Sequence, residues 1–130
     1  MGRDILLIED NEQNRYLATF LLERHGYRVV SAPDGLRGLE LARSFVPAVI
    51  LLDIQLPMMD GYAVARALRE IATLRATPII AVTSYAMVGD REKSLAAGCT
   101  GYIEKPINPE TFVAELQHLG LPPAPTPSPP

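Results

Sequence analysis

The sequence has one cysteine, no tryptophan and two histidines in 130 residues. With Cys99 alone, the chain cannot form an internal disulfide or build a cysteine cluster for zinc. Twelve lysines and arginines are outnumbered by fifteen aspartates and glutamates. The resulting charge of −3 argues against the basic surface of a nucleic-acid-binding domain. No apolar run approaches the roughly 18 residues of a membrane-spanning helix, and no secretory signal opens the chain. These absences predict a cytoplasmic protein that binds neither nucleic acid nor membrane.

The length and the proline distribution divide the chain into a domain and a tail. A chain of 130 residues with 48% apolar and 21% charged residues is typical of one folded domain. Six of the twelve prolines lie in residues 121–130, a segment that favours extended polyproline II. We therefore expect a domain over residues 1–120 and a disordered tail or linker over residues 121–130. A ligand for a proline-recognition domain is the alternative interpretation of the tail.

Short apolar runs alternate with helical patterns along the domain. Strands are predicted at residues 5–8, 28–31, 48–52, 78–82 and 100–103, and helices at residues 12–25, 35–45, 61–72, 88–97 and 109–119. The nearly continuous apolar character of several strands is typical of parallel strands buried on both faces. Gly26, Gly98 and Gly120 each follow a helix, where a left-handed cap is favoured. The pattern predicts an α/β fold with one doubly wound sheet of five parallel strands and five helices.

Polar residues end four of the predicted strands. Glu9 and Asp10 follow the first, Asp53 the third, Thr83 the fourth and Lys105 the fifth. In open α/β sheets, ligands bind beyond the carboxyl ends of the strands, so these side chains are expected to meet. Taken alone, each has an ordinary structural explanation. Asp10, for example, fits a helix cap with Gln13 completing a capping box.

Carboxylates crowded at one edge repel each other unless positive charge lies among them. Lys105 supplies one charge, and a divalent cation would supply two more. Oxygen ligands without a neighbouring histidine or cysteine suit a hard ion such as Mg²⁺. The turn after the first predicted strand has acidic side chains, whereas a flavin or nucleotide phosphate would need glycines and free N–H groups there. This argues against a flavin or nucleotide site in the crevice. No glycine-rich phosphate-binding motif occurs in the chain.

Residues 3–119 resemble the receiver domain of two-component response regulators. The motifs are Glu9-Asp10, Asp53-Ile-Gln-Leu-Pro-Met-Met-Asp-Gly61, Thr83-Ser84 and Tyr102-Ile-Glu-Lys105-Pro106. Asp53 precedes Thr83 by 30 residues and Lys105 by 52, spacings that fit the family. The resemblance implies a flavodoxin-like receiver fold and a phosphoacceptor signalling role. The chain is most similar to single-domain regulators of the DivK type, and receivers of hybrid sensor kinases share the same motifs.

The resemblance implies a role for each site residue. Asp53 is expected to accept a phosphoryl group from a phosphohistidine of a histidine kinase or histidine phosphotransfer protein. Asp10, Asp53 and the backbone carbonyl of Gln55 are expected to bind Mg²⁺, and Glu9 to act through an intervening water. Lys105 and Thr83 would hold phosphoryl oxygens.

The resemblance also implies a switch. Thr83 and Tyr102 are the expected switch residues, and their movement would reshape the face formed by the fourth helix, fifth strand and fifth helix for a downstream protein. Pro106 is expected to follow a cis bond. Gln55 and Tyr85 would flank the water that hydrolyses the acyl phosphate, and the bulk of Tyr85 suggests a long-lived phosphorylated form.

Other functional classes fit the sequence less well. A Mg²⁺-dependent aspartyl-phosphate hydrolase normally carries a second aspartate two residues after its nucleophile, and Gln55 occupies that position. A scaffold that works without phosphorylation would lack pocket residues, and none is missing. We therefore expect a regulatory phosphoacceptor and not an enzyme, with a receiver fragment of a larger kinase or regulator as the alternative. Arg66, Arg69 and Glu70 are interpreted as a solvated helix face.

Overall fold

A computed structural model of the chain describes residues 4–56, 59–84 and 89–123. Five strands of these residues form one sheet in the order β2-β1-β3-β4-β5, and all neighbouring pairs are parallel. The strands are β1 (Asp4–Ile8), β2 (Arg28–Ala32), β3 (Val49–Asp53), β4 (Ile79–Thr83) and β5 (Gly101–Glu104). The α-helices are α1 (Glu12–Arg24), α2 (Gly35–Ser44), α3 (Gly61–Glu70), α4 (Asp90–Ala96) and α5 (Phe112–His118). The predicted doubly wound α/β architecture is confirmed.

The central strands bury side chains on both faces of the sheet. On β1, Leu6 and Ile8 join a core cluster with residues of α2 and α3, whereas Ile5 and Leu7 join a second cluster with residues of α1 and α5. Strand β3 alternates in the same way. Because successive side chains of a strand point to opposite faces, two cores require an apolar residue at every position. This explains the continuous apolar runs of the sequence.

The start of α1 differs from the predicted capping box. Asn11 is the N-cap residue, and its side-chain oxygen accepts a hydrogen bond from the backbone N–H of Asn14 at 2.8 Å. The interpretation of Asp10 and Gln13 as a capping box is therefore wrong by one residue. Asn11 therefore satisfies one of the free N–H groups of the first turn, that of Asn14. The carboxylate of Asp10 is not used as a cap.

Several element boundaries shift by one to three residues from their predicted positions. Asp53 and Thr83 are the last residues of their strands and do not lie beyond them. α3 ends at Glu70 and is followed by a short 3-10 helix at Ala72–Leu74, and α5 begins only at Phe112. The predicted caps are confirmed, since Gly26, Gly98 and Gly120 have φ values of 93°, 104° and 127°.

The end of α3 is fixed by Arg69, a residue predicted from the sequence to lie on a solvated face. Its guanidinium donates to the backbone carbonyls of Gly98 at 2.7 Å, Leu74 at 2.7 Å and Thr77 at 2.8 Å. These contacts join α3 to the segment before β4 and to the turn after α4. The interpretation of Arg69 is therefore wrong: the planar guanidinium has enough donors to satisfy several carbonyls at once, whereas Arg66 stays exposed.

Close approach of β3 and α3 requires a glycine at position 61. A Cβ atom on Gly61 would lie 2.5 Å from both the Cα atom and the carbonyl oxygen of Ile54. Asp60 caps α3 by accepting from the N–H of Tyr62 at 3.0 Å. The Asp60-Gly61 pair thereby brings the start of α3 directly against the end of β3, which carries Asp53.

We expect Arg69→Ala to lower the free energy of unfolding by about 3 kcal/mol, because several carbonyls lose a charged donor. Arg69→Lys keeps the charge but loses the forked geometry, so it should lose part of that stability. Arg66→Ala is the matched control and should change stability by less than about 0.5 kcal/mol. Urea unfolding of the three variants checks this. Equal stability of Arg69→Ala and Arg66→Ala would contradict the role assigned to Arg69.

Candidate functional site

The carboxyl ends of β1, β3, β4 and β5 bring the predicted polar residues to one edge of the sheet. The strand order reverses between β1 and β3, and in open α/β sheets a ligand crevice forms at this point. Glu9 follows β1, Asp53 ends β3, and Thr83 ends β4 opposite Glu104 of β5. Lys105 follows directly, and its backbone N–H donates to the carbonyl of Thr83 at 2.8 Å. The parallel topology thus collects residues far apart in sequence.

Three carboxylates form a compact cluster at this edge. One ligand oxygen each of Glu9, Asp10 and Asp53 lies within 4.8 Å of the others. Glu9 and Asp53 are 4% and 2% exposed, whereas Asp10 is exposed. The cluster therefore has two buried acidic groups and one that faces solvent.

Lys105 compensates part of this negative charge. Its ammonium nitrogen Nζ lies 3.0 Å from Oε1 of Glu9 and 3.1 Å from Oδ2 of Asp53. Burial lowers the pKa of Lys105, but its ion pairs with Glu9 and Asp53 outweigh burial and raise the pKa above the ordinary value. Lys105 therefore remains a cation between the two buried carboxylates.

The remaining excess of negative charge falls on Glu9. Burial, and then the neighbouring Asp53, raise the pKa of Glu9 from 4.5 to about 7. The N–H of Asn11, which donates to Oε2 of Glu9 at 3.1 Å, and Lys105 act in the opposite direction but do not cancel the rise. The contact with Lys105 therefore does not offset the effects of burial and of Asp53 on Glu9.

Backbone and side-chain donors orient the cluster. The N–H of Gln55 donates to Oδ1 of Asp53 at 2.9 Å, so both oxygens of Asp53 are engaged. Arg15 donates to the carbonyls of Glu9 at 2.9 Å and Asp10 at 3.0 Å, which ties the turn after β1 to the first turns of α1. This role of Arg15 was not predicted from the sequence. The only sequence feature that points to this role is a basic residue one turn into the helix that follows an acidic strand end.

The cluster fits a hard divalent cation. Its donors are carboxylate oxygens, its side facing Asp10 is open, and one lysine leaves it with a net negative charge. Cations such as Mg²⁺ bind through one or two carboxylates and retain waters. The residues present therefore satisfy the chemical requirements of a magnesium site.

Thr83 ends β4, and Tyr102 lies on the neighbouring strand β5 beside a surface groove. Thr83 is buried at 4% exposure. Tyr102 pairs with Ala81 of β4 across the sheet, is half-buried and packs against the core on the α2–α3 face. It also lines a groove of about 570 Å³ between α4, β5 and α5, together with Arg91, Ser94 and Glu115.

The Lys105–Pro106 peptide bond is cis. Tyr85 lies outside the described residues.

Comparison with known proteins agrees with this arrangement. The profile of the response regulator receiver domain family matches residues 5–117. The chain belongs to this family. It is 41% identical over 121 residues to the polar-differentiation response regulator DivK of Brucella ovis, which covers 92% of this chain and 98% of that protein.

Two solved structures show the same receiver fold. The chemotaxis protein CheY4 of Vibrio cholerae has a TM-score of 0.86 and 31% identity, over 89% of this chain and 97% of that one. The receiver domain of the sensor histidine kinase PA1611 of Pseudomonas aeruginosa PAO1 has a TM-score of 0.83 and 38% identity, over 92% and 98% of the two chains. That structure has a magnesium ion coordinated in its active-site cleft.

This receiver domain is a phosphoacceptor signalling module of a two-component system and not a conventional enzyme. Receivers of this family interact with histidine kinases or phosphotransfer proteins and with downstream targets. Among the described residues, no helix is long and apolar enough to cross a bilayer.

The pKa of Glu9 leads to a pH-dependent prediction for the metal-free receiver. Because folding raises this pKa from 4.5 to about 7, the stability linked to Glu9 is fully present below pH 4.5 and is lost as the pH rises toward 7. Glu9→Gln removes the ionisable carboxyl group and with it this loss of stability at higher pH. In the presence of a chelator it should stabilise the protein by about 1 kcal/mol at pH 8 and change stability little near pH 4.5.

Thermal unfolding at the two pH values measures this difference. Glu23→Gln, at an exposed position of α1, is the matched control and should show no gain that grows with pH. A stabilisation by Glu9→Gln that is equal at both pH values would contradict the assignment.

Proposed function

We propose that Asp53 is the phosphoacceptor of this receiver. The observation that carries the proposal is the contact of Oδ2 with Nζ of Lys105 at 3.1 Å inside the carboxylate cluster. An acceptor needs an ionised oxygen together with a nearby cation for the incoming phosphoryl group. Glu9 is less suited because burial and the neighbouring Asp53 raise its pKa, which favours its protonated form.

The transfer requires little covalent chemistry from the other residues. A carboxylate oxygen of Asp53 attacks the phosphorus of a phosphohistidine on a histidine kinase or phosphotransfer protein. The P–O bond to Asp53 forms, the P–N bond breaks, and the imidazole leaves with the bonding electron pair. Lys105 holds a phosphoryl oxygen as a point charge. Positioning and charge neutralisation supply most of the catalysis in such loose transition states.

Magnesium is the proposed cofactor. Asp10, Asp53 and the backbone carbonyl of Gln55 would bind it directly, and Glu9 through a water. When bound, it would neutralise the charge that the phosphoryl group brings to the cluster. The carboxylate donors of this edge and the ion in the PA1611 receiver support this choice.

The proposed output is a change of the groove between α4, β5 and α5. A phosphoryl group adds about −1.5 to −2 charges and three acceptor oxygens. The hydroxyl of Thr83 at the end of β4 would donate to one of these oxygens, and Tyr102 would turn inward. A downstream protein that prefers the altered groove would shift the population toward it. The position of Tyr102 at both the core and the groove supports this route.

The domain boundaries and the location in the cell are also proposals. We propose that the receiver unit comprises residues 1–120 and that residues 121–130 act as a tail or linker. Leu121 is 2% exposed and packs with residues of α1 and α5, which supports a receiver unit that ends close to residue 120. A cytoplasmic location is proposed from the signalling role.

Incubation with Mg²⁺ and acetyl phosphate tests the acceptor. The wild-type receiver should gain about 80 Da, one phosphoryl group in place of a proton, and Asp53→Asn should abolish the gain. Asp60→Asn is the matched control, because asparagine keeps the cap of α3, and it should be labelled like the wild type. Intact-mass spectrometry measures all three. Labelling of Asp53→Asn, or none of the wild type, would refute the proposal.

The switch is tested separately from the transfer. Thr83→Ala should still be labelled on Asp53, but phosphorylation should no longer change the environment of Tyr102. ¹⁹F NMR of fluorotyrosine-labelled protein, with the Tyr102 signal assigned by Tyr102→Phe, measures that change. Thr73→Ala, at an exposed position of the 3-10 helix, is the control and should retain the shift. A full Tyr102 shift in Thr83→Ala would exclude this route.

A further inference from the structure

The side chain of Gln55 joins the two strand ends that flank Asp53. Its amide oxygen Oε1 accepts a hydrogen bond from the backbone N–H of Ser84 at 2.9 Å. Its own backbone N–H donates to Oδ1 of Asp53 at 2.9 Å. A single residue therefore contacts the acceptor carboxylate on one side and the residue after Thr83 on the other.

We propose that Gln55 is a positioning residue that holds the end of β4 in the unphosphorylated arrangement, and that a phosphoryl group on Asp53 displaces it from Ser84. The inference rests on the proposed function of Asp53. It extends that function to the side chain of Gln55, which has no role in the phosphoryl transfer described above. The N–H of Ser84 is the shared donor for which the two acceptors compete.

The competition follows from the chemistry of the two acceptors. Gln55 offers a neutral amide oxygen, whereas the phosphoryl group offers three oxygens with about −1.5 to −2 charges. Hydrogen bonds to charged acceptors are roughly twice as strong as those between neutral groups. Gln55 lies two residues after Asp53, and its backbone N–H donates to the carboxylate that would be modified, so the new acceptor would arise close to the residue that now binds Ser84. Ser84 is therefore expected to exchange its partner.

The position of Ser84 gives this exchange a consequence. Ser84 directly follows Thr83, the last residue of β4. As long as Gln55 holds the N–H of Ser84, the backbone after Thr83 is fixed relative to β3. Movement of the backbone at Ser84 toward a phosphoryl group would break this contact. Gln55 thus favours the unphosphorylated state, and its loss should ease the transition to the other.

Two substitutions of Gln55 remove the contact in different ways. Gln55→Met keeps a side chain of similar length without an oxygen acceptor, and Gln55→Asn keeps the amide but shortens it by one methylene. Both should be labelled by acetyl phosphate and Mg²⁺ about fivefold faster than the wild type, as expected for the loss of one hydrogen bond that must otherwise break. Gln13→Met, at an exposed position of α1, is the matched control and should be labelled at the wild-type rate.

The ¹H–¹⁵N resonance of Ser84 reports directly on the acceptor of its N–H. A merely structural role of Gln55 would not produce the pattern of chemical shifts expected here. Before phosphorylation, its amide shift should differ between the wild type and Gln55→Met, because only the wild type has the Gln55 acceptor. After phosphorylation, the two shifts should converge, since both proteins then have the phosphoryl acceptor. Thermal unfolding shows whether each variant is folded.

The outcomes separate this inference from the proposed function. If the wild type is not labelled, the proposed function fails, and the inference fails with it. If the wild type is labelled but both Gln55 variants react at its rate or more slowly, Asp53 keeps its role and the inference is overturned. A Ser84 shift that is identical in the unphosphorylated wild type and Gln55→Met, or that stays different after phosphorylation, overturns it as well.

Discussion

The ion pairs of Lys105 with Glu9 and Asp53 are the interaction on which the site depends. Two almost fully buried carboxylates beside a third repel each other unless positive charge lies among them. Lys105 contacts both at about 3 Å, while burial and the neighbouring Asp53 still raise the pKa of Glu9. Three carboxylates and one lysine leave this edge of the sheet with a net negative charge, which suits a divalent cation.

The sheet explains why this arrangement is possible at all. Two hydrophobic cores fix the register of β1 and β3 from both faces, so Glu9 and Asp53 emerge at adjacent strand ends. β4 and β5 extend the same edge with Thr83 and Lys105. The packing of the apolar interior thus holds the carboxylates of Glu9 and Asp53 close together despite their mutual repulsion. Such local conflicts are common at functional sites.

The sequence predicted the strands and the residues at their ends, because parallel strands have continuous apolar runs and their carboxyl ends must share an edge. Arg69 could not be recognised in this way, since its carbonyl acceptors come from the segment before β4 and from Gly98, twenty-nine residues away. Asn11 and Asp10 both fit an N-cap by composition, and only the backbone geometry decides between them. The Gln55–Ser84 contact similarly depends on how two loops approach each other.

The position of the last described residues, up to residue 123, affects how the receiver can be linked to other proteins. Gly120 lies against Pro78, just before β4 begins, and the hydroxyl of Tyr27 donates to the carbonyl of Pro122. Both contacts lie at the amino-terminal edge of the sheet, roughly 17 Å from Asp53 across a five-residue strand. A fluorescent reporter or an immobilisation handle joined beyond this point would thus leave the acidic crevice open to an approaching phosphodonor.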